Sequence, residues 1–224
     1  INKIISDDYS PLSLSINSVN FLKEKNIWDE NLIKSNLIES LYIKLFNSFN
    51  TIKISTSDIN LESIGQVVDK VSFLSHLRNL CKKNKNIDVL DNTELDINQM
   101  ESLSKIYLPN ESEAIDFGQL IVTDGTNSKF AEKLNIPYKN INYDQTSYIF
   151  NGEYDSMENS TAQIFTDKGV FAVLPGHGNK KSIVATVHNK FIDDFKFESN
   201  NVNKNLLKRN LLLYIKNLKN LIII

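Results

Sequence analysis

Asp124 and Gly125 stand between an apolar run, residues 118–122 (GQLIV), and the polar stretch Thr126-Asn127-Ser128, which precedes a short helical pattern at 128–135. The order predicts a strand, a turn and a helix. A carboxylate would then sit at the carboxyl end of a strand, where ligands of α/β sheets bind. Gly125 would let the backbone turn tightly and approach a ligand closely. Thr126, Asn127 and Ser128 are cap-forming types, and the free N–H groups of a helix start favour a phosphate or another anion. An Asp-Gly pair is also an ordinary turn. A second candidate is Gln66, just after Gly65 at the predicted start of a helix, from where it could face a ligand or water. His177, in Pro175-Gly176-His177-Gly178, reads as a turn residue, because a catalytic base needs a positioned partner and none is near in sequence. His76 reads as a surface or core histidine on a helix. Cys81 reads as a small apolar core residue.

Other chemistries are excluded. The single cysteine, Cys81, permits no internal disulfide and no cysteine-based zinc site. The three histidines are widely spaced and form no ligand motif, so no metal site is expected. Lys and Arg total 25 against 27 Asp and Glu, a net charge of −2 that gives no electrostatic footprint for nucleic acid. Of seven glycines the first is Gly65, so no Gly-x-Gly-x-x-Gly exists before it. The pair Gly176 and Gly178 lacks the order of a phosphate-binding P-loop.

The elements that would position these residues follow from periodicity. Residues 17–34 predict a helix with Val19, Phe21, Leu22, Ile27 and Trp28 near one face. Residues 41–56 predict one or two strands. From Gly65 the segment to Lys83 predicts a helix on which Val68, Val71, Leu74, Leu77, Leu80 and Cys81 share a face. Residues 86–91 predict a short strand, while 92–116 are polar and unassigned, with the character of a linker. From 141 several short apolar segments, spaced by turn residues, predict an antiparallel sheet. Residues 203–224 are basic and rich in Leu and Ile, a helix candidate. The 224 residues can bury a real core, and 41% of them are hydrophobic. No stretch is apolar for the length a membrane-spanning helix needs. No signal peptide is visible. The first residue is Ile1, which suits a processed chain or a piece of a longer one.

Taken in order, the segments resemble a known family. Residues 118–136, GQLIVTDGTNSKFAEKLNI, resemble the "DG" region of class A flavoprotein aromatic hydroxylases. The next stretch is similar to the ubiquinone-biosynthesis branch of that family: Tyr143-Asp144-Gln145, then Ala162-Gln163-Ile164-Phe165, then Gly169-Val170-Phe171-Ala172-Val173-Leu174-Pro175, then Ser182-Ile183-Val184. Upstream, residues 13–28, ending Lys25-Asn26-Ile27-Trp28, resemble the family's helix ending in Leu-Gly-Val-Trp. Residues 64–69 (IGQVVD) resemble its Gly-x-Ile/Val-Val-Glu helix start. The resemblance spans residues 8–188.

It implies an α+β or α/β fold, the central part of a para-hydroxybenzoate hydroxylase-like FAD-binding fold with an antiparallel substrate-domain sheet. Residues 1–140 would form a partial FAD-binding domain with an inserted strand near 41–56. Residues 141–200 would form the substrate-domain sheet, and 201–224 a helical tail. It implies an FAD monooxygenase in which NAD(P)H reduces the flavin and O₂ serves to hydroxylate an activated phenol, a polyprenylated precursor of ubiquinone. By position, Asp124 and Gly125 would face the flavin ribityl–pyrophosphate region and the NAD(P)H path. Gln66 would lie near the flavin, and Ser128 belongs to the same cofactor-binding turn. The 141–188 sheet would cover the ring and wall the substrate pocket. A cytoplasmic location, with attachment at the inner membrane or to a ubiquinone-biosynthesis complex, is implied as well.

There are departures. The family's N-terminal Gly-x-Gly-x-x-Gly unit and C-terminal Gly-Asp segment are absent. Ala131 stands where a basic residue is usual after the DG turn, and Ser10 where an Arg is expected. The alternative is a non-catalytic remnant that keeps the substrate sheet as a lipid-binding or interaction module.

Overall fold

The computed structural model describes residues 3–5, 11–93, 100–102, 105–108, 114–125, 127–153, 159–176 and 180–195. The chain divides into two compact units, one made of residues 1–83 and 143–224, the other of residues 84–142. The first unit holds β1 (Lys3–Ile5), β2 (Pro11–Ser15), α1 (Ile16–Glu24), β3 (Ser35–Ile38), β4 (Ser40–Leu45), β5 (Thr51–Ser55), α2 (Thr56–Ile59), β6 (Gly65–Asp69) and α3 (Lys70–Lys83). The second holds β7 (Met100–Ser102), β8 (Lys105–Tyr107), β9 (Ala114–Asp116) and α4 (Lys129–Lys133). The first unit resumes with β10 (Gln145–Glu153), β11 (Ser160–Phe165), β12 (Gly169–Pro175), β13 (Lys180–His188), a 3₁₀ turn (Asn189–Phe191) and α5 (Ile192–Phe195).

A seven-stranded sheet runs in the order β1-β10-β13-β12-β11-β4-β5. All its neighbours are antiparallel except β4 and β11. The antiparallel strands expected after residue 141 are therefore present as β10 to β13. The strands expected near 41–56 form the β4–β5 hairpin, and this hairpin joins the same sheet through β11. The sheet thus draws on both sides of the expected boundary at 140. Burial alternates along β12: Gly169, Phe171, Val173 and Pro175 are buried, while Val170, Ala172 and Leu174 are half-buried. Register extends the pattern sideways, since directly paired residues share a face. Ala162, Ile164, Ile183, Ala185 and Val187 complete the buried face. At one end of the sheet the buried Ser182 hydroxyl donates to Asn151 Oδ1 at 2.6 Å, joining β13 to β10.

A smaller sheet, β2-β6-β3, has β6 at its centre. Its core is Ile33, Val68 and Phe73, packed by Leu14, Leu22, Trp28 and Leu77. Trp28 and Phe73 lie with ring centroids 6.3 Å apart. Trp28 Nε1 is buried without a hydrogen-bond partner among the described residues. His76 is buried too, its Nε2 2.8 Å from the Ile27 carbonyl oxygen, so it serves the core, as expected of a histidine that is not a ligand.

Several elements differ from expectation. The helix expected over 17–34 ends at Glu24, because Asn26 takes a left-handed φ of 55° and turns the chain. Ile27 and Trp28 reach the core from that turn. Gly65 to Asp69 is a strand, not the opening of a helix. The helix starts at Lys70, where the Asp69 carboxylate accepts from the Ser72 N–H at 3.1 Å. The phase of the helix was misread as a result. Phe73 and His76 are buried, whereas Val71 and Leu74 are exposed, and Cys81 is only half-buried. No strand forms at 86–91. The unassigned 92–116 instead contains the three-stranded sheet β7-β8-β9. The tail at 203–224, His177 and Ser10 lie outside the described residues.

Candidate functional site

In the second unit residues 117–123 form no strand, and Ile121 is 78% exposed. The expected strand before the Asp-Gly turn is therefore a correction. An apolar run makes a strand only where a neighbour supplies a hydrogen-bonding edge, and 118–122 has no ladder partner among the described residues. The turn and the helix after it do form. Gly125 takes φ +100°, a left-handed value that suits glycine, and open space surrounds the position a Cβ would occupy. Asp124 is exposed. Ser128 is the N-cap of α4: its Oγ accepts from the Ala131 N–H at 2.9 Å. Thr126 lies outside the described residues. α4 is only five residues long and its capped donor is already satisfied, so it makes no anion site of its own.

Gly125 and Ser128 line one cavity of about 560 Å³ with Asn127, Glu132, Tyr138 and Lys139. That volume falls within the range of small-molecule pockets. The donors available are the Lys139 ammonium, the Asn127 amide and the Tyr138 phenol, with the Glu132 carboxylate as acceptor. The chemistry on offer is polar recognition of an oxygen-rich ligand. Tyr138 and Lys139 were not singled out from sequence. The signal for them was modest: an aromatic and a cation directly after Pro137, just past the helix.

Gln66 belongs to the first unit. It sits at the centre of β6, opposite Leu14 of β2 and Leu37 of β3. It is buried, and the Ser35 hydroxyl donates to its Oε1 at 2.9 Å. Among the described residues nothing accepts from its Nε2. Its expected place at a helix start was wrong, because β6 pairs on both sides. Gly65 beside it faces Leu14 so closely that any Cβ would press into the Leu14 carbonyl oxygen. Asp124, Gly125 and Ser128 thus stand in one unit and Gln66 in the other.

No group of three or more His, Cys, Asp or Glu able to hold a metal is found among the described residues. Among them, no helix is long and apolar enough to cross a membrane.

No protein-family model matches the chain. The chain is 28% identical over 172 residues to the mitochondrial ubiquinone biosynthesis monooxygenase COQ6 of Caenorhabditis elegans, an overlap of 73% of this chain and 38% of that protein. Among solved structures it is similar to PqsL of Pseudomonas aeruginosa, described as a probable FAD-dependent monooxygenase, with a TM-score of 0.68 and 10% identity over 92% of this chain and 57% of the other. It is also similar to a geranylgeranyl bacteriochlorophyll reductase-like protein of Thermoplasma acidophilum, with a TM-score of 0.66 and 17% identity over 96% of this chain and 53% of the other. The chain spans 38% of the length of the curated relative and little more than half of the two solved chains. It has, in part, the para-hydroxybenzoate hydroxylase-like fold of the FAD-dependent monooxygenases, as its motifs implied.

The fit of FAD to these residues is partial. The open space at Gly125 suits close approach of a cofactor to the turn. The pyrophosphate has no cradle here: the 224 residues contain no Gly-x-Gly-x-x-Gly, and the first-turn donor of α4 belongs to Ser128. These residues do not fit the whole dinucleotide.

Proposed function

We propose that this chain supplies the central part of an FAD- and NAD(P)H-dependent hydroxylase that adds oxygen to the ring of a polyprenylated phenol in ubiquinone biosynthesis. One observation carries the reading: the 172-residue match to a ubiquinone biosynthesis monooxygenase falls on a chain with the FAD-monooxygenase fold. One likeness is read in residue identity, the other in backbone topology.

In this reading the flavin, when bound, supplies the oxygen chemistry. The chain's own residues position and enclose. Gly125 lets backbone approach the cofactor, with Asp124 beside it and Ser128 fixing the helix that follows. Gln66, its Oε1 held by Ser35, offers its Nε2 as a hydrogen-bond donor near the flavin. The β10–β13 sheet covers the ring and walls the pocket for the lipid-tailed phenol, excluding water from the reaction. Attachment to the inner membrane or to other ubiquinone-biosynthesis proteins belongs to the same reading, because the substrate's prenyl tail resides in lipid.

A second reading, a substrate- or lipid-binding module without activity, is favoured by the missing pyrophosphate cradle. Complementation separates the two. These residues replace the corresponding central stretch of a ubiquinone-pathway hydroxylase, so that the glycine-rich FAD-binding unit is supplied, in a strain that lacks its own such hydroxylase, and ubiquinone is measured by chromatography. The hydroxylase reading expects ubiquinone to return, and to fall again with Gly125→Val, whose side chain does not tolerate a left-handed φ. No ubiquinone in either strain leaves the module reading.

A further inference from the structure

We propose that Asp124-Gly125 is a site of spontaneous covalent modification, isomerising through a succinimide to isoaspartate while the chain stays folded. The chain holds two pairs able to react in this way, Asp124-Gly125 and Asn151-Gly152. In both, the residue after the Asp or Asn is a glycine, with no Cβ to hinder the attacking main-chain nitrogen.

The reaction needs no enzyme and no cofactor. The Gly125 nitrogen attacks Asp124 Cγ. A new C–N bond closes a five-membered ring, and the amide proton leaves with the carboxyl hydroxyl as water. Water then adds to one of the two ring carbonyls. Opening at Cγ restores Asp124. Opening at the main-chain carbonyl of Asp124 breaks the old peptide bond and leaves the chain running through Cγ, with a free carboxylate on Cα. Mass is the same at start and end, and nothing is oxidised or reduced. Asn151 reaches the same ring by releasing ammonia. At neutral pH an amide loses ammonia more readily than an ionised carboxylate loses its oxygen, so sequence alone ranks Asn151 first.

The fold reverses that order. Asn151 and Gly152 lie inside β10, which has β13 on one side and β1 on the other. Asn151 pairs with Ser182 and Ile5, and Gly152 with Lys181 and Ile4. Asn151 is 8% exposed, and its Oδ1 accepts from the Ser182 hydroxyl at 2.6 Å. Ring closure there must swing the side chain off Ser182 and pull the Gly152 nitrogen out of an extended ladder. Asp124 and Gly125 carry none of these restraints. Both are exposed, and residues 117–123 before them form no strand. Gly125 takes φ +100°, with open space around the Cβ position. Among the described residues neither Asp124 nor Gly125 has a hydrogen-bond partner. A main chain so lightly held samples the ring geometry at little cost. The product adds one methylene to the main chain at the turn where a cofactor is proposed to approach, and the isomerisation itself stands without that reading.

The test ages the full chain at neutral pH, folded and in concentrated urea, and follows its tryptic peptides by chromatography and mass. Isoaspartate at 124 is a new peak of unchanged mass that endoproteinase Asp-N no longer cuts there. It is absent from Asp124→Glu, whose longer side chain must close a six-membered ring. Deamidation of Asn151, or of the nearby Asn127, raises the mass and is counted apart. The proposal expects Asp124 in the folded chain to isomerise at no less than one third of its rate in urea. It also expects Asn151 to react ahead of Asp124 in urea and behind it in the folded chain. Slowing of Asp124 by more than threefold on folding overturns the proposal, because the turn is then held against ring closure. Asn151 reacting first in the folded chain also overturns it, because the ladder then gives no protection.

Discussion

The Ser35 hydroxyl donates to Gln66 Oε1 at 2.9 Å, joining β3 to the central strand of the small sheet across 31 residues of sequence. The bond fixes which end of a buried amide faces its neighbour and leaves the Nε2 side to donate. A net hydrogen bond of this kind contributes about 1 kcal/mol, more when its loss strands a buried partner. Ser35→Ala should therefore lower unfolding stability by about 1–2 kcal/mol. Urea titration followed by the fluorescence of Trp28, the sole tryptophan and a neighbour of this sheet's core, measures it. An unchanged midpoint would show that the pair does not hold Gln66.

Gly65→Ala tests the close approach of β2 to β6. The added Cβ meets the Leu14 carbonyl, which is backbone and cannot swing aside. Overpacking of this sort costs about 1–3 kcal/mol. The same Trp28 titration should show that loss. Amide exchange should quicken first along β2, whose ladder to β6 must shift.

Asp58 gives a pH dependence with a definite sign. Its Oδ2 accepts from the Ser55 hydroxyl at 2.6 Å and the Ser55 N–H at 2.7 Å. These bonds, the hydroxyl first, hold its carboxyl below the ordinary value of 3.8, with a smaller pull from Lys53. The unfolded chain keeps the ordinary value. The stabilisation is therefore complete above 3.8 and is lost as pH falls through the lowered folded value. Carbon-13 titration of the Asp58 carboxyl should give a midpoint below 3.8 that rises toward the ordinary value in Ser55→Ala, which removes the hydroxyl and keeps the backbone donor. A wild-type midpoint at or above the ordinary value would contradict the assignment.

Flavin retention tests the partial fit. With no Gly-x-Gly-x-x-Gly in these residues, the purified chain should carry no visible flavin absorbance, and added FAD should wash away on gel filtration. A yellow protein with stoichiometric FAD would mean that the chain makes a pyrophosphate site of a kind its sequence does not announce.

The parts legible in the sequence share a physical cause. β10 to β13 are short apolar segments bounded by polar, Gly or Pro residues, a local signal of successive strands, and along β12 it is burial rather than residue type that alternates. The α4 cap was readable because Ser128 acts through a bond only three residues long. Long-range facts were hidden. Val67 and Val68 fit both a helix and a buried strand, and only pairing with β2 and β3 decides between them. The run at 118–122 looked like a strand because apolar content was visible and the missing ladder partner was not. Ser35 gave no signal at all, since its role depends on the register that sets it near Gln66.

Binding of a lipid-tailed phenol to the sheet unit tests the account's central claim most directly. Purified chain is titrated with geranyl-substituted 4-hydroxybenzoate and with bare 4-hydroxybenzoate, followed by backbone amide shifts. The account predicts saturable binding that is at least tenfold tighter for the prenylated ring, with shifts concentrated in β10–β13. No saturable binding of the prenylated ring, or shifts confined to residues 84–142, would contradict it.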